Sequence, residues 1–485
     1  MTESMVAVAP SVPRARIVHA FSIQLICRAL GMLASVVSVA MTARYLGPGR
    51  YGQLTIAVIF IGTWTCLADL GIAAVIVRRV TSGRGELERL VRVNSGLALV
   101  YCLPLTALAA GSGFLIYRDS DVRVMLVVLS GGLLMQTMTT RFEPVFLSTV
   151  RFLAVAISDI VGRLASLAMV AYLVAARSDV VWFAVAQLIP PALQLLIQGP
   201  AAARHISMRP IFALREAADL LRESWALVGF VVIGVLYWRA DGVILSVLST
   251  HSEVGVYGLA TTVALSTTVV AVFFLKSTLS TATELFSRDV AAFAGFMRRS
   301  VELMYFVAVP VAVVGALLAG PLMGFFGDKA FVPRGTPTLA LLFIAAALQF
   351  VNATLGQCMF ACGQQRFQFQ SGLAELAFNV VLNLALDGRF GAVGAAVTLV
   401  CTDLFGNMIT SWWLHRRCGY RTPVMFLLRV LIATAPSAAV AVLLSGQHVV
   451  LALTAAAATY LVVSMAIGPV KWSTLASMCR KQVMA

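Results

Sequence analysis

The sequence predicts an all-α polytopic membrane protein. It has about fourteen transmembrane helices, in two pseudo-repeated six-helix lobes plus two C-terminal helices. Three observations lead there. Of the 485 residues, 60% are apolar and only 12% charged, with a mean hydropathy of +0.92; soluble domains run nearer 45–50% and about 25%. The apolar residues fall into runs of roughly the 20 residues a bilayer crossing needs. A short Tyr-Gly motif also recurs half a chain apart.

The spans lie near 19–41, 53–77, 93–117, 122–140, 153–176, 179–200, 224–248, 254–282, 301–325, 337–361, 372–386, 390–413, 425–445 and 448–469. The expected organisation follows: a tail over 1–18, helices 1–6 over 19–200, a connector over 201–222, helices 7–12 over 223–413, helices 13–14 over 425–469, and a tail over 470–485. The run at 19–41 is too long for a signal-peptide core and ends on no small-residue cleavage site, so it reads as the first span. No phosphate-binding GxxxxGK[ST] loop, HExxH or paired CxxC pattern occurs, so nothing points to an ATPase or a zinc site. Cys358 and Cys362 stand one turn apart, lack a second pair and read as packing residues.

Charge fixes the expected topology. With alternating loops and an inner N-terminus, 23 of the 36 Lys and Arg fall on inner segments and 8 on outer ones, and the rest lie in spans. This positive-inside bias supports fourteen spans with both termini cytoplasmic. It also accounts for most of the +15 net charge, so no nucleic-acid partner is needed. Arg-over-Lys usage with abundant Ala and Val points to a GC-rich bacterial genome, and the expected location is a bacterial plasma membrane.

Leu46-Gly47-Pro48-Gly49-Arg50-Tyr51-Gly52 follows span one, and Glu253-Val254-Gly255-Val256-Tyr257-Gly258 follows span seven. Repeated halves are how many transporters enclose a site between lobes. In 209–222, Ile211, Phe212, Leu214, Ala217, Leu220 and Leu221 recur at near-helical spacing beside charged residues, which fits a connector or surface helix.

Four stretches together resemble the polysaccharide-export (Wzx-like) flippases of the multidrug/oligosaccharidyl-lipid/polysaccharide exporter superfamily. They are Ala43–Gly52; Asp69-Leu70-Gly71 with Arg78-Arg79; Arg239-Ala240-Asp241 with Gly255-Val256-Tyr257; and Asn379-Val380-Val381-Leu382-Asn383 with Gly391–Ala396. The resemblance implies two lobes in a V and movement of lipid-linked sugars from the inner to the outer leaflet. Glu375 departs from the pattern, because an apolar or small residue is expected there.

Ionisable residues within spans mark the candidate site. Each costs roughly 2.5–3.5 kcal/mol at mid-bilayer and so faces a cavity or a partner. Arg28, Arg239 and Lys276, on helices 1, 7 and 8, are candidates to bind a lipid diphosphate, which Arg meets with paired donors; Lys276 could instead snorkel. Asp241 and Arg163 complete the substrate-binding set. Arg163 also has Asp159 one turn earlier, and a simple pair between them is the competing reading. Glu375, Asn379 and Asn383 form an i, i+4, i+8 stripe that, with Asp159, is either an ion-coupling site or interhelical glue. Asp69 reads as a helix-end residue, and Asp403 completes the set.

The expected function is therefore a secondary transporter, not an enzyme. It would flip an isoprenoid-diphosphate-linked oligosaccharide by alternating access, without a cofactor and with H+ or Na+ as the coupling ion. Its partners would be that substrate, membrane lipids, and a polysaccharide polymerase or glycosyltransferases, and it would act as a monomer. The rivals are a lipid II-type precursor flippase and a multidrug/cation antiporter, whose cationic cargo would want a net acidic cavity.

Overall fold

The computed structural model describes residues 14–68, 70–149 and 153–467, with side chains from Leu30 onward except at 66, 149, 226, 227, 230, 269–277, 280 and 467. Among the described residues every regular element is helical. In the first half these are α1 (Arg14–Ala68), α2 (Ile72–Thr81), α3 (Leu87–Ile116), α4 (Ser120–Thr140), α5 (Glu143–Thr149), α6 (Leu153–Ala175), α7 (Val180–Ala186) and α8 (Ile189–Ala203). In the second half they are α9 (Leu214–Leu248), α10 (His251–Ser266), α11 (Val269–Arg288), α12 (Val290–Leu317), α13 (Ala319–Phe326), α14 (Val332–Ala361), α15 (Gln365–Phe390) and α16 (Ala392–Cys418). The chain closes with α17 (Val424–Leu444) and α18 (Val449–Ile467).

Twelve helices among the described residues are long and apolar enough to cross a membrane. The difference from fourteen has two sources. Span 19–41 and most of span 53–77 run on as α1, the end of the latter falling in α2, and span 254–282 divides at 267–268 into α10 and α11, neither of which qualifies alone among the described residues. Unbroken, the 55 residues of α1 would reach about 80 Å against a hydrocarbon core of about 30 Å. The break is at Gly47, with φ 69° and ψ 172°. Only glycine adopts that conformation readily, and Pro48 then opens the second segment.

The recurring Tyr-Gly motifs meet. α1 and α10 form the most extensive helix contact among the described residues. It is made possible by missing side chains: a Cβ on Gly52 would stand 1.7 Å from the His251 carbonyl oxygen, and one on Gly255 would stand 2.2 Å from that of Pro48. Tyr51 and Tyr257 are buried beside them. One continuous apolar core runs through this seam and joins both halves. Tyr117 Oη to Ser246 Oγ at 2.6 Å and Arg44 Nε donating to the Gly327 carbonyl at 2.8 Å also cross it.

α9 runs from the opposite end up to the seam, because Ser249 and Thr250 lead directly into α10. At its far end the contacts are ionic. Glu223 meets Arg79 at 2.6 Å and Arg78 at 3.0 Å, and Glu216 meets Arg89 at 2.7 Å. The hydrogen bond from Arg79 holds the Glu223 carboxyl below its ordinary value, and that from Arg89 does the same for Glu216.

The connector differs from the helix expected over 209–222. Residues 204–213 are non-helical and dock on α3, where Ile211 N–H donates to the Arg92 carbonyl and Arg92 Nε to that of Arg209, each at 3.0 Å. Gly96 leaves room for this approach. Helix starts at Leu214 and continues unbroken as α9, so the amphipathic pattern belongs to the first turns of a long helix.

Candidate functional site

α9 lies along the junction of the halves, touching α1 on one side and α15 and α16 on the other. Positions two apart on a helix point about 200° apart, so Arg239 and Asp241 face opposite neighbours. Arg239 turns to α1, where its Cζ lies 3.2 Å from the position a Cβ on Gly62 would take; glycine leaves room for the guanidinium. Among the described residues Arg239 has no hydrogen-bond or ion-pair partner. It lines a cavity of about 250 Å³ between the halves, with Thr42 and Thr55 of α1, Asp241 of α9, and Tyr257 and Thr261 of α10.

Asp241 turns into the second half and is buried. It accepts from Asn379 Nδ2 at 2.8 Å, Asn383 Nδ2 at 2.7 Å and Tyr257 Oη at 3.1 Å. Asn383 also donates to Asn379 Oδ1 at 2.9 Å. The two asparagines of the polar stripe thus tie α15 to α9. One turn further on, Asp387 is fully buried, and neither carboxylate oxygen has a hydrogen-bond partner among the described residues; Asn383 Oδ1 has none either.

Glu375, the stripe's third member, lies elsewhere. It packs on Gly406 of α16 and lines a second cavity of about 300 Å³ walled by α9, α14, α15 and α16. Tyr237 and Trp238 line both cavities. Behind the second one, buried Asp403 accepts from Tyr237 Oη at 2.9 Å, Gln349 Nε2 at 3.1 Å and Asn352 Nδ2 at 3.2 Å.

Arg163 lies apart from these cavities. Its Nε meets Asp159 Oδ1 at 3.0 Å and its Nη1 donates to Ser35 Oγ at 2.7 Å, so it joins α6 to α1. The side chains of Arg28 and Lys276, and Asp69 altogether, lie outside the described residues. Sequence reasoning overlooked Asp387, which fell between two expected spans, and the uncharged Tyr237, Tyr257, Gln349 and Asn352. The only signal for Tyr237, Gln349 and Asn352 is polarity inside an apolar run; Tyr257 had a further one, its place in the recurring Tyr-Gly motif.

The model of the family described as polysaccharide biosynthesis protein matches residues 18–280, more than half of the chain. The chain belongs to that family. A curated relative is the probable flippase AglR of Haloferax volcanii, 22% identical over 198 residues, which are 40% of this chain and 42% of that protein. The match thus spans less than half the length of the relative. Among solved structures, the lipid II flippase MurJ in an inward-closed conformation superposes with a TM-score of 0.78 at 13% identity, over 91% of this chain and 98% of that one. An inward-facing multidrug resistance MATE family transporter of the MOP superfamily gives 0.64 at 12%, over 81% and 98%. At such identities the likeness establishes the fold, which the family member shares with both: a multi-pass helical membrane protein.

Proposed function

We propose that this protein flips an isoprenoid-diphosphate-linked oligosaccharide from the inner to the outer leaflet for cell-surface polysaccharide assembly. The observation that carries this reading is Arg239, a cation without a carboxylate partner among the described residues, at the wall of a cavity between the halves. A half-buried charge without a partner is costly, and an anionic group of the cargo would neutralise it through paired donors. Arg28 and Lys276 are proposed to extend the same anion site, and Arg163 to hold α1 and α6 in place beside it. The proposed division is an N-terminal lobe over 19–200 and a C-terminal lobe over 223–413, working by alternating access around the cavity. Both termini are proposed to be cytoplasmic, in a bacterial plasma membrane. Asp387 is proposed to take the coupling ion, Na+ or H+, because a buried carboxylate without donors is stable only when neutralised.

The test is depletion of the protein in its host, with mass spectrometry of extracted lipid-linked sugars. Build-up of one complete lipid-linked unit with loss of its surface polymer is the expected result, and Arg239→Gln should fail to reverse it in a well-expressed protein. A depleted strain with no such build-up but new sensitivity to cationic compounds would replace this reading with that of an antiporter. The acids Glu375 and Asp403 at the second cavity are the observation favouring that alternative.

A further inference from the structure

We infer that the second cavity is a sugar subsite that takes a hydroxyl- or amino-bearing ring of the cargo beside the diphosphate position. This rests on the flippase reading and adds to it the part of the cargo that this cavity selects.

The argument starts from Asp403. Its carboxylate oxygens accept from Gln349 Nε2 and Asn352 Nδ2, so the NH2 ends of both amides are turned toward it. Their carbonyl oxygens are what remains to face elsewhere. Gln349 is only 8% exposed, and its Oε1 has no hydrogen-bond partner among the described residues. Gln368, across the same cavity on α15, is in the same position with a buried, unpartnered Oε1. The Glu375 carboxylate adds two more acceptor oxygens. Both glutamines line the cavity, so its wall holds acceptors that lack donors, and a ligand that meets them is rich in donors. Leaving a buried acceptor unmet is costly, so each one rewards a donor-bearing ligand.

The rest of the lining is aromatic and small. Trp238 and Phe369 line the cavity and are 54% and 39% exposed. Flat apolar plates beside a few placed polar groups are how small-molecule sites fix orientation. A sugar ring has this duality, with hydroxyls on its rim and C–H groups on its faces. A simple cation would satisfy the oxygens but not the plates. The location fits as well, because Trp238 is shared with the cavity that holds Arg239, its neighbour in the chain. A diphosphate at Arg239 would place the first sugar next to that ring.

The test uses detergent-purified full chain and saturation-transfer NMR with three free sugars: N-acetylglucosamine, galactose and rhamnose. Transfer to at least one of them is expected. It should fall at least threefold in Gln349→Leu and in Ala353→Phe, which plugs the cavity from α14 without touching the hydrogen-bond groups. It should persist in Arg239→Gln, which separates this subsite from the anion site. Absence of transfer from all three sugars overturns the subsite, as does undiminished transfer in a monodisperse Ala353→Phe protein. Binding of rhodamine 6G in place of sugars, lost in Glu375→Gln, overturns it in favour of a cation site. If lipid-linked glycan builds up in the depleted host while no sugar binds here, the flippase reading stands and the subsite alone falls.

Discussion

Substituting Gly52 by alanine tests how the two halves are held together. The added Cβ would stand 1.7 Å from the backbone oxygen of His251, and ordinary contact begins near 3.4 Å. No side chain can move aside, because the obstacle is main chain. α1 and α10 must part by about 1.7 Å, and the core that runs through the seam parts with them. Overpacking of this kind costs typically 1–3 kcal/mol. The penalty falls on the contact between halves rather than on either half, since separate apolar clusters sit at the far ends, around Val75 and Phe142 in one half and Phe293 and Met359 in the other. The expected result is a folded protein whose equilibrium shifts about 5- to 150-fold toward a parted seam, the factor that 1–3 kcal/mol represents. Spin labels at Gly49→Cys and Lys329→Cys, both exposed and on opposite halves, report this in a background without the native cysteines. Pulsed EPR should show a longer distance population in Gly52→Ala than in the parent. Gly255→Ala collides with the Pro48 oxygen in the same seam, so the double variant should add less than the sum of the two, as neighbours sharing one backbone shift do. An unchanged distance distribution in both single variants would refute the reasoning.

Two further outcomes follow from the charged groups. Replacing choline chloride with NaCl, or lowering the pH, should raise the melting temperature of the parent protein but not of Asp387→Ala; equal responses in the two would sink the ion assignment. Glu223→Gln should lower the melting temperature slightly at pH 7, since exposed pairs are each worth only about 0.2–1 kcal/mol. The Glu223 carboxyl is held below its ordinary value by Arg79, so its contribution is present above the unfolded value of about 4.3 and is lost as pH falls through the lower folded one. The difference between parent and variant should therefore vanish in acid, and a difference that grows there would contradict the pairing.

The fold was legible because bilayer length and apolar composition are local properties, and the repeat because two Tyr-Gly motifs keep the same place in two sets of spans; that the motifs meet at the seam comes only from packing. The connector was misread because an amphipathic pattern does not say where its helix ends, and α9 simply continues into the membrane. The Asp159–Arg163 pair could be found from spacing alone, since i and i+4 share a face. The partner of Asn379 and Asn383 could not: Asp241 lies 138 and 142 residues away, and only packing of α9 against α15 brings them together. Asp387 was passed over because the expected span ended at 386, whereas α15 continues to Phe390.

The ionisable groups within the helices fall into two kinds, and the division bears on mechanism. Asp241 and Asp403 each receive three side-chain donors. Their oxygens are met by donors within the fold, so they act as fixed acceptor posts that orient the asparagines, glutamine and tyrosines around them. Arg239 and Asp387 have no such compensation among the described residues. A ligand changes an equilibrium only through groups whose energy it alters, so binding at a satisfied post does little, while neutralising an uncompensated charge does much. The two uncompensated groups carry opposite signs and belong to opposite sides of the Asp241 cluster, Arg239 facing α1 and Asp387 lying within α15. An anion at one and a cation at the other would each relieve a separate cost. Because α9 holds both Arg239 and the carboxylate that Asn383 grips, any shift of α9 against α1 alters both environments at once. That shared helix is a physical route by which an ion on one side could bias the cavity on the other.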